Sequence, residues 1–524
     1  MRLPTPRPPF TAGEHTTDMR CCLPVPLGAL AGIPGPCEML RSGFLLAPAL
    51  LRSATAPRPR HPRSLAAVHL ELVTLTEDRA VITWHTALPG TDDGTGRMLP
   101  AATEGEIVYG THPARLNRTA GEDRPTAHHH VELTGLEPGQ TYYYQARSRG
   151  VPATPTALHL VRGNAAGTSR HGLDTPGGPY SFTTPQPPPG RHLLSLALCN
   201  DLHIGETVAG LVAGVPFLRG VAQRTGQTPY PELMSRAVVD EARRRGAQLL
   251  LAAGDISGGG GPRDLAEAKR ILDGFGTHRR DYFVVRGNHD RAAGEGDTFH
   301  REFGLPDGPG WFEHDVAGLR IIGLDTYDKR GNGGDAGGLG AEQLSWFRRR
   351  LRAHREQPTV VFGHHPLTVR EALFPVSPAQ RLGRRQARAI LRAYATAPGV
   401  FLHHVGHTHR NKRTHVPLAP QVTLQEVGAA KEYPGGFFLL RIHSGGFALN
   451  FFRARAAEAL EWNERSRRQA GGLWPYHALG RTVADRNSVA ARDLSGIGRL
   501  VPPSAQPRSP QGMTAVPNPR LDVA

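Results

Sequence analysis

Five short segments carry the residues able to do chemistry: Asp201-Leu202-His203, Gly254-Asp255, Gly287-Asn288-His289-Asp290, Gly363-His364-His365-Pro366 and Gly406-His407-Thr408-His409. Asp, His and Asn are hard or borderline donors suited to Zn, Mn or Fe. One carboxylate shared by two cations holds them roughly 3.5–4 Å apart, the separation that two-metal hydrolysis needs. Asp255 follows a glycine, which lets the backbone turn tightly and present the carboxylate inward. On an extended strand alternate residues share a face, so Asp201 would project with His203, and His407 with His409. Each segment alone occurs often by chance. All of them in order, each behind an apolar run, point to a dinuclear metal centre.

The elements that must position these groups can be read from hydrophobic patterning. Strands are expected at 193–198, 249–252, 282–285, 319–324, 359–362 and 400–405, and helices at 232–245, 265–272 and 341–354. The last helix places Leu344, Phe347 and Leu351 on one face. Strands alternating with helices imply an α/β core, in which ligands gather beyond the carboxyl ends of the strands. Residues 437–452 alternate like antiparallel strands, and a helix is expected at about 456–468.

Upstream, residues 65–185 read as an all-β sandwich. Val68, Leu70 and Leu72 alternate, as do Ala80, Ile82 and Trp84 and, later, Tyr142 and Tyr144. Trp84 is expected in the core. The run His128-His129-His130 is expected on a polar surface rather than at a metal. The division is therefore an irregular, disordered segment at 1–64, the sandwich at 65–185, a Pro-rich linker at 186–192, the catalytic domain at 193–453, and a helical extension with a disordered tail at 454–524. The long connection 204–230, beside the first motif, is placed to shape specificity.

The chain has 524 residues, 39% of them hydrophobic, and a formal charge of +16. No apolar run approaches the roughly 18–20 residues that a spanning helix needs. The excess Arg is dispersed, with no nucleic-acid signature, so a small phosphate ester is the expected partner. Cys21, Cys22, Cys37 and Cys199 are too few and too scattered for a disulfide framework. That fits a cytoplasmic setting, against which residues 39–56 form a weak signal-like segment that would permit export.

The motif series D-x-H, G-D, G-N-H-D, H-x-P and G-H-x-H resembles the calcineurin-like metallophosphoesterase superfamily over about residues 193–453. That resemblance implies a four-layer αββα sandwich and two divalent or trivalent ions, of Mn, Zn or Fe. It assigns Asp201, His203, Asp255 and His409 to the first ion, and Asp255, Asn288, His364 and His407 to the second. His289 would face the phosphoryl group and help the leaving oxygen, while Asp290 and His365 would support from behind. Arg410 or Lys431 could meet a substrate phosphate, or lie in a surface loop. The domain at 65–185 resembles a fibronectin type III, immunoglobulin-like sandwich of the kind that precedes the catalytic domain in purple acid phosphatases. Those enzymes place a Tyr ligand three residues after the Asp of G-D and lack the His of D-x-H. Here Gly258 and His203 stand at those positions, a pattern more like the bacterial phosphodiesterase branch. The expected activity is metal-dependent hydrolysis of phosphate diesters by a bridging hydroxide. Alternatives are a phosphomonoesterase or nuclease on the same site, or a binding protein with a decayed catalytic domain.

Overall fold

The computed structural model describes residues 65–92, 97–156, 177–210, 220–291, 297–304, 309–327, 335–368 and 381–500. The signal-like segment 39–56, Cys21, Cys22, Cys37 and the C-terminal tail lie outside them.

Two antiparallel sheets form the first domain. One holds Ala66–Leu75, Arg79–Leu88, Leu99–Pro100 and His128–Thr134; the other holds Gly105–Gly110, Arg118–Gly121, Thr141–Ser148, Val151–Pro152 and Tyr180–Thr183. The inward residues of both, among them Leu70, Leu72, Ile82, Trp84, Ile107 and Tyr144, make one core. Trp84 satisfies its buried indole by donating to Ser148 Oγ at 2.8 Å. The Tyr142 hydroxyl accepts from the Glu137 amide at 2.9 Å, pinning the strand entry.

The histidine run departs from expectation. His129 is buried and stacks on Trp84 with ring centres 4.4 Å apart. Its Nδ1 lies 2.5 Å from Glu122 and its Nε2 2.8 Å from Thr86 Oγ1. Burial pushes the flanking His128 to about 4 and His130 to about 3. The strand is covered on both faces, by its own sandwich and by the second domain, so alternation alone could not reveal an exposed side.

That second domain is built on two six-stranded sheets. The first runs Tyr282–Val285, Leu249–Ala253, His192–Cys199, Gly436–His443, Gly446–Arg453, Asn487–Ala491; the second runs Phe312–Val316, Leu319–Gly323, Thr359–Phe362, Val400–Val405, Ala419–Glu426, Lys412–Val416. Their facing sides interleave Leu196, Leu198, Leu251 and Phe438 with Ile321, Val360, Phe362 and Phe401. The outer face of the first sheet packs against the helices Tyr230–Arg244, Pro262–Leu272 and Ala457–Ser466. The outer face of the second packs against Ala341–Ala353 and Arg384–Ala395. This is a four-layer αββα sandwich. Burial on both sides explains why its central strands read as continuous apolar runs.

Past residue 453, the expected helix forms as Ala457–Ser466, but the segment also returns a strand. Asn487–Ala491 pairs antiparallel with Gly446–Arg453 and closes the edge of the first sheet. Among the described residues no helix is long and apolar enough to cross a membrane.

Candidate metal centre

All the candidate motifs meet at one end of the two sheets. Tyr282–Val285, Leu249–Ala253 and His192–Cys199 are adjacent and parallel, so Asn288, Asp255 and Asp201 leave the first sheet side by side. Thr359–Phe362 and Val400–Val405 are parallel neighbours in the second sheet and deliver His364 and His407.

The last step into the site is not extended strand. Asp201, His203, Asp255, His407 and His409 all have positive φ, between 48° and 69°. Side chains reach that left-handed region only when their surroundings enforce it, at about 1–3 kcal/mol each. The shared direction of Asp201 and His203 therefore comes from a pair of left-handed turns, not from strand pleating. Leu202 and His203 amides donate to the Asp255 carbonyl at 2.9 and 3.0 Å, locking the two loops together. Gly287 is required by close approach: a Cβ there would meet Asp255 Oδ1 at 2.1 Å.

Three overlapping groups of ligand atoms, each within 4.8 Å, result: Asp201–His203–His409, Asp255–His364–His407 and His203–Asp255–His289. Asp255 Oδ2 lies 3.0 Å from His364 Nε2 and 3.5 Å from His203 Nε2. Asp201 Oδ1 lies 3.4 Å from His409 Nε2 and 3.8 Å from His203 Nε2. Asn288 sits at the edge, its amide 3.4 Å from Asp335 Oδ1. Burial disfavours charge on Asp201, yet His409 and His203 hold its carboxyl well below the usual range. Asp255 is likewise held low against burial, by His364 and His289. In return the carboxylates lift His364 and His409 to about 9 despite their burial. His407 goes the other way: burial and then the His364 charge push it to about 3.

This donor set fits two cations. Asp201 Oδ1, His203 Nε2 and Asn288 Oδ1 are all buried without a hydrogen-bond partner. Buried polar atoms are almost always paired, so orphaned oxygen and nitrogen donors converging on two carboxylates form a cradle for positive charge.

Comparison with known families agrees with this geometry. Residues 194–411 match the family of calcineurin-like phosphoesterases, and residues 66–158 match the purple acid phosphatase N-terminal domain. Residues 194–411 form a calcineurin-like metallophosphoesterase domain. It hydrolyses phosphoric esters with a dinuclear metal centre, behind a domain of the purple acid phosphatase N-terminal kind. No curated protein matches the chain. Among solved structures it is similar to a dimetal phosphatase from Danio rerio, with 16% identity, covering 51% of this chain and 97% of that one, at a TM-score of 0.41. It is also similar to a purple acid phosphatase from yellow lupin, with 14% identity, covering 75% of this chain and 73% of that one, at 0.35.

Several supporting residues of this metallophosphoesterase take roles other than those expected. Asp290 does not brace the His289 imidazole. Its carboxylate accepts from the amides of Ile256, Ser257 and Gly287 at 3.1, 2.7 and 2.9 Å, tying two metal-site loops together. Burial and the neighbouring Asp255 raise its carboxyl above the ordinary value. The Arg410 guanidinium is buried and bidentate with Glu426 at 2.8 and 2.9 Å rather than standing in a surface loop. Lys431 is buried as well, bonded to Glu206 and 3.5 Å from Glu432. The His365 ring bridges Thr326 Oγ1 and the Asp335 carbonyl at 2.8 and 2.9 Å, and burial keeps it neutral.

Sequence reasoning missed Asn200, Glu206 and Glu432. Asn200 donates to Asp201 and to the Val427 carbonyl and meets His404 Nε2 at 3.1 Å, so it anchors the first carboxylate. Glu206 and Glu432 stand behind His203 and His409. Glu206 lies one helical-turn spacing past His203, and Glu432 falls beside Lys431, the only local hints.

Proposed function

We propose that this enzyme is a phosphodiesterase-type hydrolase that works through a hydroxide shared by two ions. The ligands are Asp201, His203, Asp255 and His409 for one ion, and Asp255, Asn288, His364 and His407 for the other. The observation that carries this reading is the place of His203. Its Nε2 stands between Asp201 and Asp255, while Gly258, packed on the Glu206 backbone, leaves no side chain where a Tyr ligand would stand.

When bound, two ions would screen the phosphoryl oxygens and lower the pKa of water so that it could serve as the nucleophile near neutral pH. The chain's own groups do the rest. Asp255, common to both sets, fixes the separation of the two positive centres. His289 is exposed at the rim, with its ring centre 4.6 Å from that of His203. Its Nδ1–H donates to the Gly258 carbonyl at 3.1 Å, so that the protonated ring would have its Nε2–H free to pass to the departing ester oxygen.

The experiment is hydrolysis of bis(p-nitrophenyl) phosphate beside p-nitrophenyl phosphate, with Mn²⁺ or Zn²⁺ and with chelator as control. Chelator-sensitive cleavage that favours the diester is expected. Cleavage of the monoester alone would move the reading to a phosphomonoesterase. A rate on single-stranded DNA far above both, falling steeply with salt, would favour a nuclease.

His289→Ala should keep its metal content while turnover falls about 10²–10⁴-fold. Loss of an ion from that variant would instead make His289 a ligand, as its grouping with His203 and Asp255 allows.

A further inference from the structure

The two histidines of the first set differ from those of the second in what lies behind them. His203 Nδ1 is 2.8 Å from Glu206 Oε2, and His409 Nδ1 is 2.8 Å from Glu432 Oε1. His364 Nδ1, in contrast, donates to the Ala253 carbonyl at 2.8 Å, and His407 Nδ1 meets another imidazole, His364 Nε2, at 3.2 Å. The first pair is backed by carboxylates, whereas His364 is backed by a backbone carbonyl and His407 Nδ1 faces the nitrogen that His364 turns toward Asp255.

The two carboxylates are also held as a unit. Lys431 Nζ, almost fully buried, bonds Glu206 Oε1 and lies 3.5 Å from Glu432 Oε2. The Tyr230 hydroxyl donates to Glu206 Oε1 at 2.5 Å, and Gln469 Nε2 donates to Glu432 Oε2 at 3.0 Å. Each carboxylate thus sets one oxygen against an imidazole, Glu432 through a hydrogen bond and Glu206 at ion-pair distance, and has the other fixed. Lys431 completes a bridge from His203 through Glu206 and Glu432 to His409.

A carboxylate that accepts from Nδ1–H fixes the tautomer, aims the Nε2 lone pair and raises ligand basicity. We propose that Glu206 and Glu432, joined through Lys431, are positioning residues that make the first metal subsite the tighter of the two, so that it fills first. The proposal rests on the ligand assignment given above. It does not depend on which ester is cleaved.

The test is calorimetric titration of the metal-stripped full chain with Mn²⁺ alone, checked by metal content after desalting. Wild type is expected to bind in two steps. Glu432→Gln and Glu206→Gln should weaken the tighter step about 10–100-fold and leave the weaker one in place. Turnover of both variants should recover as Mn²⁺ is raised, and Glu432→Asp should restore part of the lost affinity. Lys431→Met should weaken the same step by freeing both carboxylates. Melting of the metal-stripped variants identifies any that fail to fold; Glu206→Asp and Glu432→Asp then carry the test.

A folded Glu432→Gln chain that binds both ions as wild type does would overturn the proposal. So would equal weakening of both steps. Failure of the functional reading would show separately, as a changed diester-to-monoester ratio at saturating metal with the affinities of the two steps as expected here.

Discussion

Replacing Asp255 with alanine is expected to abolish ester hydrolysis, with turnover down by at least about 10³-fold, on the order of 4 kcal/mol in the barrier. The size follows from how many jobs this side chain holds. Its Oδ2 faces His364 and His203 at 3.0 and 3.5 Å, and its Oδ1 accepts from the His289 amide at 2.8 Å. It belongs to two of the three ligand groups. Its removal separates the two positive centres and frees the loop that carries His289. The variant should also bind less metal than wild type, measured after desalting at a fixed Mn²⁺ concentration. Activity within tenfold of wild type, with a full complement of metal, would remove Asp255 from the centre of the mechanism. Asp255→Asn offers a gentler comparison: it keeps the shape and the acceptor for the His289 amide but loses the charge.

Much of this site was legible because each ligand follows an apolar strand directly, and strand ends are where an α/β core collects its ligands. The strands at 249–252, 282–285, 359–362 and 400–405 were found almost residue for residue, since burial on both faces leaves an unmistakable apolar run. What local pattern could not carry is the turn into the site. The left-handed backbone at Asp201, His203, Asp255, His407 and His409 is imposed by hydrogen bonds between loops more than fifty residues apart, such as His203 N to Asp255 O. Arg410 misled for a related reason. An arginine beside two candidate ligands looks like a phosphate contact, and only the fold brings Glu426, on the next strand of the sheet, against it. Asn487–Ala491 is short and carries only Val489 as a strand-favouring side chain, and becomes a strand because Gly446–Arg453 offers it an edge. Glu206 and Glu432 escaped because a carboxylate that serves a metal ligand from behind has no spacing rule.

The role of the first domain was the least legible feature, and its interface supports the other large prediction. Glu71 lies on the outward side of the strand Ala66–Leu75 yet is fully buried. It accepts from Arg467 Nη1 at 2.5 Å, Arg453 Nη2 at 3.1 Å and the Tyr433 hydroxyl at 2.7 Å, from the catalytic domain and the helical extension that follows it. Around it, Thr74, Leu75, Asn450 and Asn487 exchange side chain-to-backbone hydrogen bonds across the same seam. Arg441 grips Glu77, and Arg245 grips Glu132, each with two bonds of 2.6–2.7 Å. Glu71→Ala would leave two buried guanidinium groups facing an empty place. Breaking a buried ion pair from one side costs about 3–5 kcal/mol, far more than the pair itself contributes. Urea unfolding should register that loss, with the sandwich separating from the catalytic domain ahead of the main transition. A loss below about 1 kcal/mol would mean that water fills the site and that the seam rests on its peripheral bonds. The double variant Glu71→Leu with Arg467→Met tells the two apart. Removing both charges should recover part of the stability lost in Glu71→Ala, because the penalty lies in the charge left behind. Tyr433 is the chain neighbour of Glu432, which backs His409. A sandwich held this way braces the loop behind the metal centre, and its loss should be felt there before it is felt in the distant helices.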